Sequence, residues 1–314
     1  MHGFYSSQFT ESLIANDLDG VRQTPKSDLH SHAGRGGSAA YIASWANVKI
    51  PPPPEKFESL GHMDSWLNDN IKIHCPGLQG YLKRLEASFA QADYDNVSVL
   101  ALSFSIPEVD FVGGMDAFIN ILSGYNQKFA PNTTFLPELT FDRSCNTDAE
   151  LDRLDELLAY NYFRSIDICC NEFAQPIKNF KNIYTKAKSH SLKLKAHIGE
   201  FGTADDVMEA VEILELDEVH HGVAAATSPQ IMKWLAEHNI RLNICPTSNV
   251  MLRVAESYST HPIKKLYDAG VLVTINTDDL LIFNQSASQE YLNLFNCGLM
   301  SAEELNNVRI NGLT

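Results

Sequence analysis

The hydrophobic pattern alternates along most of the chain between short apolar runs and longer stretches in which apolar residues recur every three or four positions. The short runs predict β-strands, and the longer stretches predict the helices that follow them. Eight runs are each followed by a helical stretch: Lys26–His32, Val97–Ile106, Thr133–Phe141, Tyr162–Cys170, Leu192–Ile198, Glu218–His221, Arg241–Cys245 and Val271–Asp278. Alternating strands and helices indicate parallel βαβ units, and eight units predict a (β/α)8 (TIM) barrel.

The rest of the pattern fits one barrel domain over residues 25–314, preceded by a short extension over residues 1–24 with one weakly amphipathic helix, Ser7–Asn16. Ser38 can cap a helix at Ala39–Ala46. Further helices are predicted at His62–Gln91, Gly114–Phe129, Asp148–Ala159, Pro176–His190, Thr203–Leu214, Pro229–His238, His261–Ala269 and Leu305–Asn311.

Side chains that bind metals collect where the predicted strands end, which is where such barrels carry their chemistry. His30 and His32 alternate along the first strand, so their rings point to one side. His197 ends the fifth strand and Asp278 the eighth. Three imidazoles and a carboxylate suit Zn²⁺ with a further position open to water. Each residue alone is typical of a buried polar position, but the four together predict one catalytic zinc ion per chain.

Two more groups are expected beside this metal site. Glu200 lies three residues after His197, on the loop above the barrel, and is a candidate proton carrier or else a solvated loop acid. His221 can hold a water molecule and accept its proton or stabilise its charge. Its neighbour His220 is expected to point the other way.

The substrate is expected to meet groups that follow the seventh and eighth strands. Asp279 comes directly after the ligand candidate Asp278 and should face a bound substrate. The segment Cys245–Asn249 either shapes the wall of the site or serves only barrel packing.

Composition narrows the function classes further. The 314 residues carry a net charge of −15, which argues against duplex nucleic acid or an anionic membrane as the main partner. The six cysteines include no C-x-x-C pair, so they predict reduced thiols and exclude the cysteine-based zinc site of cytidine deaminases. The segment 1–20 lacks the features of a secretory signal, and no apolar stretch is long enough to span a bilayer. The expected location is the cytoplasm.

The ordered motifs resemble the adenosine/AMP deaminase family of metal-dependent hydrolases. The motifs that carry the resemblance are Asp28-Leu29-His30-Ser31-His32, His197-Ile198-Gly199-Glu200, His221-Gly222, Cys245-Pro246-Thr247-Ser248-Asn249 and Asn276-Thr277-Asp278-Asp279. They occur in the family's order and span residues 28–279. The resemblance implies a TIM barrel with one zinc ion, which converts a 6-aminopurine nucleoside to its 6-oxopurine and releases ammonia.

The resemblance also implies a role for each site residue. The zinc ligands would be His30, His32, His197 and Asp278. Glu200 would protonate the purine ring nitrogen next to the reacting carbon, His221 would manage the attacking water, and Asp279 would bond the imidazole edge of the base.

The chain departs from the family in two places, one at the sugar end of the site and one on the fourth strand. Gly34 stands where nucleoside deaminases usually carry an acid that bonds the ribose 5′-hydroxyl, and Cys170 stands where they tend to have glycine. The backbone N–H at Cys170 could still reach the base. Arg35, with the amides of residues 36–38 at a helix start, is hypothesised to receive a 5′-phosphate; the alternative is an Arg35 in solvent. The expected partner is therefore a purine nucleoside or its 5′-monophosphate.

Two other functions compete with the deaminase hypothesis. One is another metal-dependent amidohydrolase or phosphoesterase on the same barrel, although those often need a lysine that the fourth strand lacks. The other is a catalytically silent purine-binding sensor, against which Glu200 and His221 argue, because a sensor needs no proton carrier. Relatives usually continue with another helix after the point where this chain ends, so either a shortened chain or a compact family member is expected.

Overall fold

The computed structural model describes the backbone of residues 2–313 and the side chains of residues 5–313. Within this range eight parallel strands pair in sequence order, each with the next, and form a nearly closed barrel. The predicted (β/α)8 barrel is therefore confirmed. The strands are β1 Lys26–His32, β2 Val97–Ser105, β3 Thr134–Asp142, β4 Ser165–Cys169, β5 Lys193–Ile198, β6 Glu218–His221, β7 Arg241–Ile244 and β8 Leu272–Ile275.

Helices separate the strands and cover the outside of the barrel. They are α1 His2–Ile14, α2 Leu18–Arg22, α3 Ala39–Ala46, α4 Leu60–Asn70, α5 Gly77–Tyr94, α6 Ile106–Phe111, α7 Met115–Phe129, α8 Thr147–Leu158, α9 Lys181–Ser189, α10 Ala204–Leu214, α11 Pro229–Glu237, α12 Pro246–Met251, α13 Ile263–Asp268, α14 Leu280–Phe283, α15 Ala287–Asn296 and α16 Ala302–Asn311. Short 3-10 helices lie at Lys72–His74, Ile177–Phe180, Val223–Thr227 and Tyr258–Thr260. Among residues 2–313, no helix combines the length and the hydropathy that crossing a bilayer requires.

Some element bounds differ from the sequence prediction because tertiary contacts override the local pattern. Tyr162 and Phe163 were expected in the fourth strand, but their rings pack against Phe118 at centroid distances of 6.0 and 5.9 Å, and β4 begins only at Ser165. The helical stretch expected at 62–91 is interrupted between α4 and α5, where Pro76 precedes helix α5.

The seam between β8 and β1 is closed largely by side chains. A single bridge, between Ser31 and Asp278, joins the two strand ends. Asn276 accepts a hydrogen bond from the Leu29 N–H at 2.8 Å, and Asp28 accepts hydrogen bonds from the backbone and hydroxyl of Thr277. These bonds set the position of the chain that leaves β8, where the predicted ligand Asp278 lies.

The N-terminal helices pack on the barrel. Phe9, Leu13 and Val21 are buried and belong to the main hydrophobic core, and Phe9 meets Tyr291 of α15 edge to face at 5.2 Å. The boundary predicted between an extension over residues 1–24 and a barrel domain over residues 25–314 remains a prediction.

A second, smaller apolar cluster covers the carboxyl ends of the strands. It combines Ile42 of α3, Phe57, and Met63 and Leu67 of α4 with the buried segment 281–283 of α14. Because α4 belongs to this cluster, residues of the long connection between β1 and β2 can reach the centre of this end of the barrel.

Candidate active site

A cavity of about 500 Å³ opens at the carboxyl ends of the strands. This volume lies within the range of about 300–1,000 Å³ that is typical of small-molecule sites. Eight of the residues that the sequence analysis selected line the cavity: His32, Arg35, Cys170, His197, Glu200, His221, Asp278 and Asp279. His30 is buried beneath them.

The four predicted metal ligands converge at the base of this cavity. His30 Nε2 and His197 Nε2 are 2.9 Å apart, and Asp278 Oδ1 lies 3.2 Å from His32 Nε2 and 3.7 Å from His30 Nε2. Ligands bound to one tetrahedral zinc ion stand about 3.4 Å apart. Possible ligand atoms of His30, His197, His221 and Asp278 all lie within 4.8 Å of one another, whereas His32 forms a second such group with Asp278 and Asp279. Asp278 belongs to both groups and so joins His32 to the other predicted ligands.

The outer nitrogens of two ligand histidines show why this arrangement suits a cation. His30 Nδ1 donates to the backbone carbonyl of Asn243 at 3.1 Å, and His197 Nδ1 donates to the carboxylate of Asp167 at 2.9 Å. When both rings are neutral, their Nε2 atoms carry lone pairs that face each other across 2.9 Å and would repel without a proton or a metal ion between them. Histidines that bind metals typically donate their other ring N–H to a carboxylate or a backbone carbonyl, as His30 and His197 do, so the donor set fits a divalent ion.

The electrostatics of the pair His32 and Asp278 favour the carboxylate as a ligand. Burial alone would raise the pKa of Asp278, but the hydrogen bond from His32 and the nearby histidines hold it well below its usual range. Burial opposes the charge on His32, yet Asp278 and Asp279 raise the pKa of this imidazole to about 10. Metal binding must displace that proton.

Backbone conformation also marks the strand ends in the site. Cys170, His221 and Asp278 have φ values of +74°, +62° and +58°. This left-handed region is uncommon for residues other than glycine. The strain turns the chain sharply after each strand and brings these residues to the cavity, and such strain clusters at functional sites.

Glu200 is a buried acid next to the ligand cluster. Burial raises its pKa well above the usual value, and the negative charges of Asp278 and Glu172 add to this effect. Its Oε1 atom is buried without a hydrogen-bond partner among the described residues, while Oε2 lies 3.6 Å from His221 Nε2. Glu200 therefore combines a raised pKa with an oxygen atom that is free to hold a proton.

His221 is neutral and completes the group around Glu200. Burial lowers its pKa to about 3, and its Nδ1 atom accepts a hydrogen bond from Asn249 Nδ2 at 3.2 Å. His220 points into the barrel interior, where its Nε2 atom lies 3.0 Å from Glu138 Oε1 and its ring stacks on His30 at 4.0 Å.

The comparison with known proteins adds the family to this geometry. The sequence model of the family described as "Adenosine deaminase" matches residues 130–314. A putative adenosine/adenine deaminase of Treponema pallidum is 35% identical over 285 residues, which are 90% of this chain and 95% of that protein. This chain belongs to the adenosine deaminase family. It is thus a member of a family of metal-dependent hydrolases that act on C–N bonds, as the motifs predicted.

Solved structures agree with the fold of this deaminase family member. A zinc-bound amidohydrolase from Burkholderia ambifaria has a TM-score of 0.80 at 21% identity, covering 95% of this chain and 87% of that one. The N6-methyl-AMP deaminase from Arabidopsis thaliana has a TM-score of 0.74 at 18% identity, covering 91% and 90%. At these identities the likeness shows the barrel fold alone.

Arg35 is partly buried and pairs with two carboxylates instead of lying in solvent, and its binding of a 5′-phosphate stays a prediction. Arg35 Nη1 donates to Asp279 Oδ2 at 3.0 Å, and Nη2 pairs with Asp64 Oδ1 of α4 at 3.2 Å. Gly34 does not line the main cavity. Its carbonyl accepts from Arg84 Nε at 3.1 Å, and it lines an adjoining cavity of about 360 Å³. Cys170 lines the main cavity, as expected.

Glu172 is a site residue that the sequence analysis did not select. Its carboxylate accepts hydrogen bonds from the backbone N–H groups of Gly199, Phe201 and Gly202. The carboxylate thus holds the loop that carries Glu200, and a Cβ atom at Gly202 would lie 2.6 Å from Glu172 Oε1. An acid two residues after the predicted end of the fourth strand at Cys170 was the available signal, but nothing in the local sequence shows which loop it holds.

Proposed function

We propose that this chain is a zinc-dependent hydrolase that removes the 6-amino group of an uncharged 6-aminopurine, namely adenosine, 2′-deoxyadenosine or adenine. The products are the 6-oxopurine and ammonia. The observation that carries the proposal is the placement of a buried acid with a free oxygen, Glu200, beside converging ligands from β1, β5 and the end of β8.

The metal would be held by His30, His32, His197 and Asp278. A zinc ion there would lower the pKa of a water molecule to about 7 and so supply a nucleophile at neutral pH. The zinc in the Burkholderia structure, which has the same fold, supports this choice of ion.

The remaining chemistry depends on Glu200 and His221. An aminopurine ring is a poor electrophile until the ring nitrogen next to the reacting carbon is protonated. Glu200 is suited to donate that proton because burial raises its pKa well above the usual value. His221 faces the same space and can orient the attacking water. Attack at the carbon that bears the amino group, followed by proton transfer to that group, releases ammonia.

Charges around the cavity favour an uncharged substrate. Arg35 already pairs with Asp279 and Asp64, and the carboxylates of Glu108 and Asp142 also line the cavity. A 5′-phosphate would meet these carboxylates, whereas hydroxyls and ring N–H groups can donate to them. Asp279 Oδ1 is buried without a partner among residues 5–313 and can accept a hydrogen bond from the base.

A second candidate substrate is a 5′-mononucleotide. Lys72 and Arg84 line the adjoining cavity next to Gly34, and the two cations are close enough that Arg84 and Arg35 lower the pKa of Lys72, after the larger effect of burial. The name of the Arabidopsis relative also points to a nucleotide.

Absorbance in the purine band tests the proposal directly. The zinc-loaded protein is mixed with adenine, adenosine, 2′-deoxyadenosine, AMP and dAMP, with and without a chelator. We expect chelator-sensitive conversion of at least one uncharged substrate, with kcat/KM at least about tenfold above that of AMP, a difference of about 1.4 kcal/mol. The variant Arg35→Ala should lower turnover of uncharged substrates, because Asp279 loses its partner.

Two results would contradict the proposal. Preference for AMP, with a loss of that preference in Arg35→Ala, would support the nucleotide alternative. Tight binding of adenosine without any spectral change would indicate a sensor instead of an enzyme.

A further inference from the structure

Two buried residues behind His221, namely His261 and Asn249, form a hydrogen-bonded chain of side chains that has a defined direction. This chain of hydrogen bonds begins at the backbone N–H of Ile263, which lies 3.1 Å from His261 Nδ1. A backbone amide can only donate, so His261 Nδ1 must accept. Burial lowers the pKa of His261 to about 3, so the ring is neutral and its one proton lies on Nε2.

The second link fixes the orientation of an amide. His261 Nε2 lies 3.2 Å from Asn249 Oδ1 and donates to it. The amide nitrogen of Asn249 therefore faces the other way, where it donates to His221 Nδ1 at 3.2 Å. Because Nδ1 of the neutral His221 ring is an acceptor, its proton must lie on Nε2.

Both residues are held rigidly. Asn249 is 0% and His261 2% exposed. The Asn249 backbone N–H donates to the Cys245 carbonyl at 3.0 Å, and the Asn249 carbonyl accepts from Val254 and Ala255 at 2.8 and 2.9 Å. These bonds fix the backbone of Asn249, and the hydrogen bond from His261 then sets which end of the Asn249 amide faces His221.

We propose that Asn249 and His261 are positioning residues that hold His221 as the tautomer with its proton on Nε2. In the deaminase reaction proposed above, on which this inference rests, His221 then donates a hydrogen bond to the attacking oxygen instead of acting as its first base. A neutral imidazole with a proton on Nε2 has no lone pair on that atom with which to take a proton.

The distances around His221 Nε2 leave room for that oxygen. Glu200 Oε2 lies 3.6 Å and Asp278 Oδ2 3.9 Å from this nitrogen. Both distances exceed an ordinary hydrogen bond, and an oxygen atom between these groups would be within reach of the Nε2–H. A fixed donor at this point stabilises negative charge on the attacking oxygen, as donors in oxyanion holes do.

Nitrogen NMR of the full-length, zinc-loaded protein with ¹⁵N-labelled histidine measures the tautomer of His221 and needs no substrate. The His221 signals are assigned by their loss in His221→Asn. In the unmodified protein we expect the proton on Nε2. In Asn249→Asp the side chain can only accept from both histidines, so the His221 proton should move to Nδ1. We expect kcat to fall by about 100-fold, as when one oxyanion donor is lost, with KM changed less than about threefold.

Two substitutions at His261 test whether a conservative replacement preserves the effect on His221. His261→Gln keeps an N–H that can donate to Asn249 Oδ1, so it should retain the His221 tautomer and most of kcat. His261→Leu removes the donor, frees the amide to rotate and should lower kcat. The matched control is Asn306→Asp, a buried amide in α16 that bonds Arg309, for which the His221 spectrum and kcat should not change.

The outcomes separate this inference from the proposed function. An Nε2 proton that persists in Asn249→Asp with full kcat would overturn the inference, as would a His261→Gln variant no better than His261→Leu. If no aminopurine is converted, the proposed function fails, but the NMR spectra still show whether the chain from Ile263 sets the tautomer.

Discussion

At the scale of the residue, the chemistry depends on how burial changes single side chains. Glu200 and Asp278 are both buried carboxyl groups in one cavity, yet their pKa values move in opposite directions. Asp278 has His32 as a hydrogen-bond partner, whereas Glu200 is surrounded by negative charge and has an unpartnered oxygen. Asp278 is therefore suited to bind a cation and Glu200 to hold and donate a proton, and these are the two roles that the proposed deamination requires.

The variant Glu200→Gln tests the second role. Glutamine keeps the shape of the side chain but has no acidic proton, so we expect kcat to fall by about 10²–10⁴-fold, the usual contribution of a general acid. Zinc content and thermal unfolding should change little, because Glu200 is not one of the proposed ligands. Glu209→Gln, at an exposed position of α10, is the control. Full activity in Glu200→Gln would show that another group supplies the proton.

At the scale of the element, the seam between β8 and β1 determines where Asp278 lies. Asn276 accepts from Leu29 of β1, and its amide donates to the Ile244 carbonyl of β7 at 3.3 Å and to Thr274 of β8 at 3.0 Å. A single side chain thus connects three strands, two residues before the ligand candidate. The backbone N–H of Asp278 then donates to the His30 carbonyl at 2.9 Å, which joins two ligand-bearing segments.

We expect Asn276→Ala to weaken both the fold and the metal site. The substitution leaves the buried N–H of Leu29 without its side-chain partner, while the Ile244 carbonyl keeps the backbone N–H of residue 276 at 2.9 Å. The lost partner should cost about 1–3 kcal/mol in the free energy of unfolding. Misplacement of Asp278 should lower zinc affinity by about 10–100-fold. Urea unfolding and chelator competition measure the two effects. Asn293→Ala in α15, which loses side-chain bonds to Tyr258 and Gln285 but none to the seam residues Leu29, Ile244 and Thr274, should leave zinc affinity unchanged.

At the scale of the whole molecule, polar groups are buried at both ends of the barrel. At the end opposite the cavity, the Lys26 ammonium group is 0% exposed and donates to the carbonyls of Thr24 and Asp95 at 2.8 and 2.6 Å. Burial lowers its pKa from 10.5 to about 8, with Asp95 opposing the decrease and Arg309 adding to it. The fold therefore carries a buried charge at neutral pH.

This buried charge predicts a pH dependence of stability. Between pH values of about 8 and 10.5, the unfolded chain holds a proton on Lys26 that the folded protein has lost, so the free energy of unfolding rises with pH. Lys26→Met removes the titration. Relative to this variant, the free energy of unfolding of the unmodified protein should rise by up to about 3 kcal/mol across this pH range. Denaturant unfolding at several pH values measures the difference, which is expected to be constant below pH 8. Lys49→Met, at an exposed site, should show no such change, and a constant difference for Lys26→Met would contradict the assignment.

Several features of this protein could be predicted from the sequence because they depend on neighbouring residues. The alternation in β1 and its two histidines, the Ser38 cap of α3, and the polar residues at the ends of β5 and β8 are local patterns with a fixed geometric meaning. Since parallel strands in a barrel end at one face, these patterns placed most of the proposed site residues in one cavity. The same reasoning predicted the fold.

Only the tertiary structure decided which distant residues support that cavity. Glu172 holds the loop that carries Glu200. The pair Asn249 and His261 orients His221. The carboxylates of Asp64 and Asp279 form ion pairs with Arg35. Each of these pairs depends on how two loops are placed by the barrel, and no spacing along the chain encodes that placement. The sequence by itself determined the fold, the family and the side chains offered at each strand end. Packing decided which hydrogen bonds and charges those side chains carry, because burial and partner contacts exist only once the barrel has closed.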